Sequence, residues 1–199
     1  MKLDVPFYQQ TTNLNCGPTA LKMALEFLGK TFEIEHISAS CGIKEGKGVS
    51  SVRLALGAAK LGFRATFLSK TLFFDPSHQQ LAFYQNYSDM DVQESKRLVE
   101  EAKSAGARLE ERTISLTELL THVTPTSIPV VLLDWNKVTN TPKGYLGHFV
   151  PVVGYDDEFV LVHNQGFTNP TSFLRIPRAV FDDARKAQGT DEDVLIVSR

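Results

Sequence analysis

The stretch Gln9-Gln10-Thr11-Thr12-Asn13-Leu14-Asn15-Cys16-Gly17-Pro18-Thr19 decides how the rest of this chain is read. It is polar and turn-rich up to Asn15, and then a helix opens. Pro18 fits the first helical turn, where its missing N–H costs nothing. Beyond it Leu21, Ala24, Leu25 and Leu28 recur at helical spacing, and Gly29 closes the element. Cys16 therefore stands at a helix entrance, with Asn15 or Gly17 as the cap. A helix N-terminus and a nearby imidazolium both stabilise a thiolate, and can bring a cysteine pKa from about 8.5 to roughly 3.5–7.5. Taken alone, Cys16 reads equally well as a small buried apolar residue.

Working outward, the parts of a nucleophile site recur far downstream. His148 and Asn164 flank a predicted hairpin, and each lies eight residues from Asp156, its turn centre. In that antiparallel register they face each other, with Cβ atoms about 4.5–5.5 Å apart. Asn164 would then bond one ring nitrogen and leave the other to face Cys16, the logic of a Cys-His-Asn triad. A slip of one residue would break the pairing, and Pro151 in the first strand implies an edge position or a bulge. Gln10, six residues before the cysteine, supplies a side-chain amide. With the Cys16 backbone N–H it could hold an oxyanion, each donor being worth about 3–4 kcal/mol of the barrier. Gln9 is its competitor, and on its own either glutamine is an ordinary surface amide.

The surrounding elements form an α+β order. Helices are expected over residues 32–40, from Ser50 to about Leu61, over 91–105, over 115–123 and over 177–186. Strands are expected at 63–68, 128–133, 149–155, 159–163 and 194–197, with a weak one at 3–7. Ile128 to Leu133 is an unbroken apolar run, as a strand buried on both faces requires. Ser115 and Glu118 have capping-box spacing. Residues 71–113 differ in character, with an aromatic, turn-rich part and a charged helix, and read as an insertion in a single domain spanning 1–199. The aromatic part, Phe73 to Tyr87, suits a lid, a substrate groove or a second hydrophobic cluster.

Composition narrows the function classes. Hydrophobic residues make up 42% and charged residues 22%, enough to bury a core without a staple. The formal charge of −2, with basic residues scattered, gives no reason to expect a nucleic-acid or anionic-membrane partner. No apolar stretch approaches the ~20 residues of a membrane span, and the N-terminus has no apolar signal core. Two cysteines, Cys16 and Cys41, are too few for a disulfide framework, so a cytoplasmic protein with free thiols is expected. Cys41 reads as structural. His36, His78, His122 and His163 make no metal-ligand spacing with either cysteine, and no cofactor or metal is implied. Trp135 reads as core or site wall. Asp191-Glu192-Asp193 reads as a turn before the last strand.

The set formed by Gln10, Cys16-Gly17, Gly147-His148-Phe149-Val150 and a polar residue sixteen positions on resembles the papain-like double-glycine leader peptidases. The resemblance covers most of the chain outside roughly residues 71–113. It implies a papain-like fold with N-terminal helices on an antiparallel sheet, and a peptide or protein substrate. It matches Cys16 to the nucleophile, His148 to the base, Gln10 to the oxyanion amide and Asn164 to a position that family usually fills with Asp. A second layout, Asn86-Tyr87-Ser88, Ala105-Gly106, Gly144-Tyr145-Leu146-Gly147-His148 and Gly189 to Ile196, looks like the guanylyl-cyclase-domain-containing family. That name suggests cyclisation of GTP, yet no phosphate-cradling loop is present, since Gly46-Lys47-Gly48-Val49 lacks the P-loop pattern. The expectation is a cysteine peptidase. An acyl or peptidyl transferase using the same triad, a nucleotide cyclase and a non-catalytic peptide-binding module are its rivals.

Overall fold

A computed structural model describes residues 1–167 and 169–199. Three helices come first: α1 (Cys16–Phe27), α2 (Ile34–Ser40) and α3 (Ser51–Lys60). Strand β1 (Arg64–Ser69) follows, then a 3-10 helix (Pro76–Gln80), α4 (Ala82–Tyr87), α5 (Val92–Ser104), strand β2 (Arg108–Glu111) and α6 (Leu116–Thr121). The remainder is β3 (Ser127–Asp134), the short α7 (Trp135–Val138), β4 (Gly147–Tyr155), β5 (Phe159–Asn164), β6 (Thr171–Pro177), α8 (Arg178–Arg185) and β7 (Val194–Ser198). The seven strands form one sheet in the order β2-β1-β7-β3-β4-β5-β6. All neighbours are antiparallel except β1 and β2, which run parallel at one edge.

Local chemistry explains the element ends. Gly29 and Gly62 take φ of +102° and +82° and close α1 and α3, a conformation glycine reaches without a Cβ penalty. Ser115 Oγ accepts from Glu118 N–H at 3.1 Å and starts α6, as its spacing predicts. Every residue of β3 is buried, because α1 and α8 cover this central strand. The expected strand at 3–7 reduces to an isolated bridge, Lys2 to Gly154.

Two features position the site. Helix α1 packs on β4, with Gly17 so near Phe149 that an added Cβ would stand 3.2 Å from its ring. This brings the first turn of α1 against the start of β4. Second, β4 and β5 are bulged. Val152 faces Val162, but Gly154 faces Leu161, so the register shifts within the hairpin. The predicted symmetric register about Asp156 is therefore not the one formed. Pro151 lies in a central strand beside that bulge, opposite Val130 of β3.

Candidate active site

Cys16 is the first residue of α1, and Asn15 is its cap residue. Asn15 makes no capping bond. Its side chain instead accepts from Thr12 N–H and donates to Thr11 Oγ1, which folds the preceding loop. The Cys16 sulfur lies against the backbone N–H groups of Phe149, Gly17 and Cys16 itself. These donors favour the thiolate, but burial outweighs them and the thiol pKa is raised. The expectation of a lowered pKa is thus overturned. The helix entrance is present, but the site is too dry for it to prevail.

His148 is 8% exposed and stands on β4 opposite Leu133 of β3. Its Nε2 is 3.2 Å from Asn164 Oδ1 at the end of β5. The same oxygen accepts Gly166 N–H at 3.1 Å, while Asn164 Nδ2 donates to Asn169 O at 2.9 Å. Trp135 meets the imidazole edge to face, with centroids 4.7 Å apart, and forms the site wall. Burial lowers the His148 pKa to about 4, with the Asn164 bond opposing it. No imidazolium therefore stands ready to stabilise a thiolate at neutral pH. The resting pair is thiol and neutral imidazole. His148 and Asn164 meet as expected, though through the bulge and not by direct cross-strand pairing.

Gln10 is buried and lines the same cavity as Cys16, His148 and Asn164, a space of ≈390 Å³. Its backbone N–H bonds Gln165 O and its Nε2 donates to Thr12 O, both at 2.9 Å. Its Oε1 is buried without a hydrogen-bond partner. One amide hydrogen is thus committed to the loop.

A residue missed in the sequence holds these parts together. Gln165 is fully buried, and its Nε2 donates to both Cys16 O and Phe149 O. That one amide fastens the helix bearing the thiol to the strand bearing the imidazole. Only its position beside Asn164, as a second amide closing an apolar strand, hinted at it.

The other expectations divide. Cys41 is fully buried against α3, and burial pushes its thiol up to about 12, which fits a structural role. His163 is a core residue between Phe7 and Phe173. Its Nδ1 accepts Phe173 N–H, so its Nε2 donates to Val5 O. Phe73 to Tyr87 contributes to the cavity wall, where Phe83, Tyr84 and Tyr145 pack as an aromatic cluster. Asp191-Glu192-Asp193 is the turn before β7, as read. Asp191 and Asp193 also reach this cavity, a role that reading did not include.

Comparison with known proteins gives a family and a fold. A family model described as guanylylate cyclase matches residues 5–197. Guanylyl cyclase 1 of Arabidopsis thaliana is 24% identical over 217 aligned positions, covering 98% of this chain and 76% of that protein. Among solved structures, one described as a C39-like peptidase from Bacillus anthracis superposes with a TM-score of 0.59 at 16% identity, covering 100% of this chain and 98% of that one. The double-glycine motif protease of an AMS/PCAT transporter, solved with its leader peptide, gives 0.54 at 15% identity, covering 99% and 93%. The peptidase domain of Streptococcus ComA, a bi-functional ABC transporter, gives 0.52 at 14%, covering 96% of each chain. The fold is therefore the papain-like α+β fold of these peptidase domains.

Proposed function

The chain belongs to the guanylylate cyclase family, and from that premise, on a fold shared with cysteine-peptidase domains, we propose that it is a cysteine peptidase-like amide hydrolase. The observation that carries this reading is the His148–Asn164 hydrogen bond in a cavity that Cys16 also lines. His148 Nδ1 takes the Cys16 proton as the sulfur attacks an amide carbonyl. The proton then passes to the departing amine, and water resolves the thioester. Because both groups rest neutral, proton transfer accompanies attack and does not precede it. Asn164 orients the imidazole. The Cys16 backbone N–H and the second Gln10 amide hydrogen hold the oxyanion. The substrate is a peptide or protein, and the wide aromatic wall accepts an apolar side chain next to the scissile bond.

A peptidyl acyloxymethyl ketone tests this. Covalent capture at Cys16 that His148→Ala reduces at least tenfold supports it. Capture that persists in Cys16→Ala, or that ignores His148→Ala, sinks the nucleophile assignment. The second reading rests on the name of the Arabidopsis relative and on the carboxylates of Asp191 and Asp193 in the same cavity. Cyclic GMP formed from GTP by a Cys16→Ala variant would favour it over the peptidase.

A further inference from the structure

Gln165 touches every part of the candidate site. Its peptide follows Asn164, and its carbonyl accepts Gln10 N–H at 2.9 Å. Its side chain, fully buried, donates from Nε2 to Cys16 O at 2.9 Å and to Phe149 O. Phe149 follows His148, and its own N–H faces the Cys16 sulfur. Cys16, His148, Asn164 and Gln10 come from separate places in the chain, and Gln165 is bonded to each of them or to its neighbour.

Two facts separate this from ordinary packing. The Gln165 Oε1 is buried and has no hydrogen-bond partner among the described residues. A bare buried oxygen costs stability, and an apolar side chain of the same size would fill the space without one. What the amide supplies is an uncharged nitrogen with two hydrogens, one for each carbonyl. The second fact is the place of Phe149 in the sheet. On β3 its partner is Leu132, whose N–H turns away to Asp193 O at 3.3 Å. This is a non-hydrogen-bonded pair, so both main-chain groups of Phe149 point to the β5 side. There the last β4–β5 partners toward the site are Val152 and Val162. The thiol and the Gln165 amide take the places that a continued ladder would fill.

We propose that Gln165 is a positioning residue: its two N–H bonds fix the first turn of α1 against β4, and thereby the spacing of the Cys16 thiol from the His148 imidazole. Apolar packing between helix and strand is non-directional and permits sliding. Two bonds from one nitrogen hold both carbonyl oxygens within about 3 Å of a single point. A misplacement of about 1 Å at a reacting pair is worth about 10²-fold in rate. This role rests on Cys16 and His148 being nucleophile and base.

Gln165→Met removes both donors at nearly constant length. Capture of Cys16 by the peptidyl acyloxymethyl ketone is followed against ketone concentration in Gln165→Met, in His148→Ala and in the double variant, well below each melting temperature. The expected maximal rate is at least about tenfold lower in Gln165→Met. The half-saturating ketone concentration should stay within about threefold, because Gln165 lies outside the cavity lining. In the His148→Ala background the same substitution should change the maximal rate by less than about twofold, since its effect passes through the imidazole. Gln165→Glu keeps one donor while its buried carboxyl is protonated, so its rate relative to the unsubstituted protein should be intermediate at about pH 6 and fall as pH rises. That variant decides if Gln165→Met does not fold. An unchanged maximal rate in Gln165→Met, or an equal loss with and without His148, overturns the proposal. A Gln165→Glu rate equal to that of the unsubstituted protein at every pH overturns it equally. Capture that ignores His148→Ala in the unsubstituted background sinks the nucleophile–base pair itself, and the positioning role with it.

Discussion

At the residue scale, Asn164 decides which nitrogen of His148 does the work. Its Oδ1 receives Gly166 N–H, so the carbonyl and not the amide faces the ring. Nε2 must then carry the proton, which leaves a lone pair on Nδ1. Loss of Asn164 removes that choice and frees the ring to turn. Asn164→Ala is expected to slow capture of Cys16 by the ketone about 10²-fold, the scale of a catalytic group misplaced by about 1 Å, measured well below the variant's own lowered melting temperature so that unfolding does not contribute. Burial sets the second expectation. The Cys16 pKa is raised and His148 stays neutral down to about 4. Alkylation by iodoacetamide, which follows the thiolate fraction, should therefore rise about tenfold per pH unit from about pH 6 to about pH 8. A plateau beginning in acid would instead reveal a thiolate–imidazolium pair.

At the element scale, close approach between helices makes the sharpest demand. Gly57 lies in mid-α3, and a Cβ there would fall inside the Cys41 sulfur and 3.2 Å from the Cys41 backbone N. Cys41 ends α2, so the α2–α3 contact exists only because residue 57 has no side chain. Gly57→Ala gains helix propensity, yet overpacking should win and lower stability by about 1–3 kcal/mol, read as a fall in urea midpoint. Double substitution with Cys41→Ala should recover much of the loss. Elements with a local signature were legible: the helix behind Pro18, the apolar run of β3 and the Ser115 cap. Strand β6 was not, because it is an edge strand with only Ile176 buried and lacks the alternation that marks a strand. The His148–Asn164 contact was legible as a pair but not in its register, since a bulge between Val152 and Gly154 has no fixed sequence sign. Gln165 and the meeting of His78 with Asp191 depend on residues more than a hundred positions apart, which no local pattern encodes.

At the scale of the whole molecule, buried arginines join parts that the sheet alone does not connect. Arg53 on α3 ties Gly42 O to Asp89 and Glu94, and so binds the N-terminal helices to the 71–113 segment. Arg185, fully buried at the end of α8, bonds Asp182 at 2.7 Å and Ile114 O at 2.9 Å, and approaches Glu192 at 3.5 Å. Its own carbonyl accepts Thr190 Oγ1 at 2.6 Å. The side chain thus holds α8, the lead into α6 and the turn carrying Asp191 and Asp193 in one arrangement. Removing it leaves Ile114 O without its donor, takes one of two cations from Asp182 and the nearby cation from Glu192, and opens a void where a long side chain lay. Arg185→Ala is expected to cost about 3–5 kcal/mol, seen as a lower urea midpoint at unchanged slope. Lys103→Ala, which breaks an exposed pair with Glu100, should stay within about 0.5 kcal/mol.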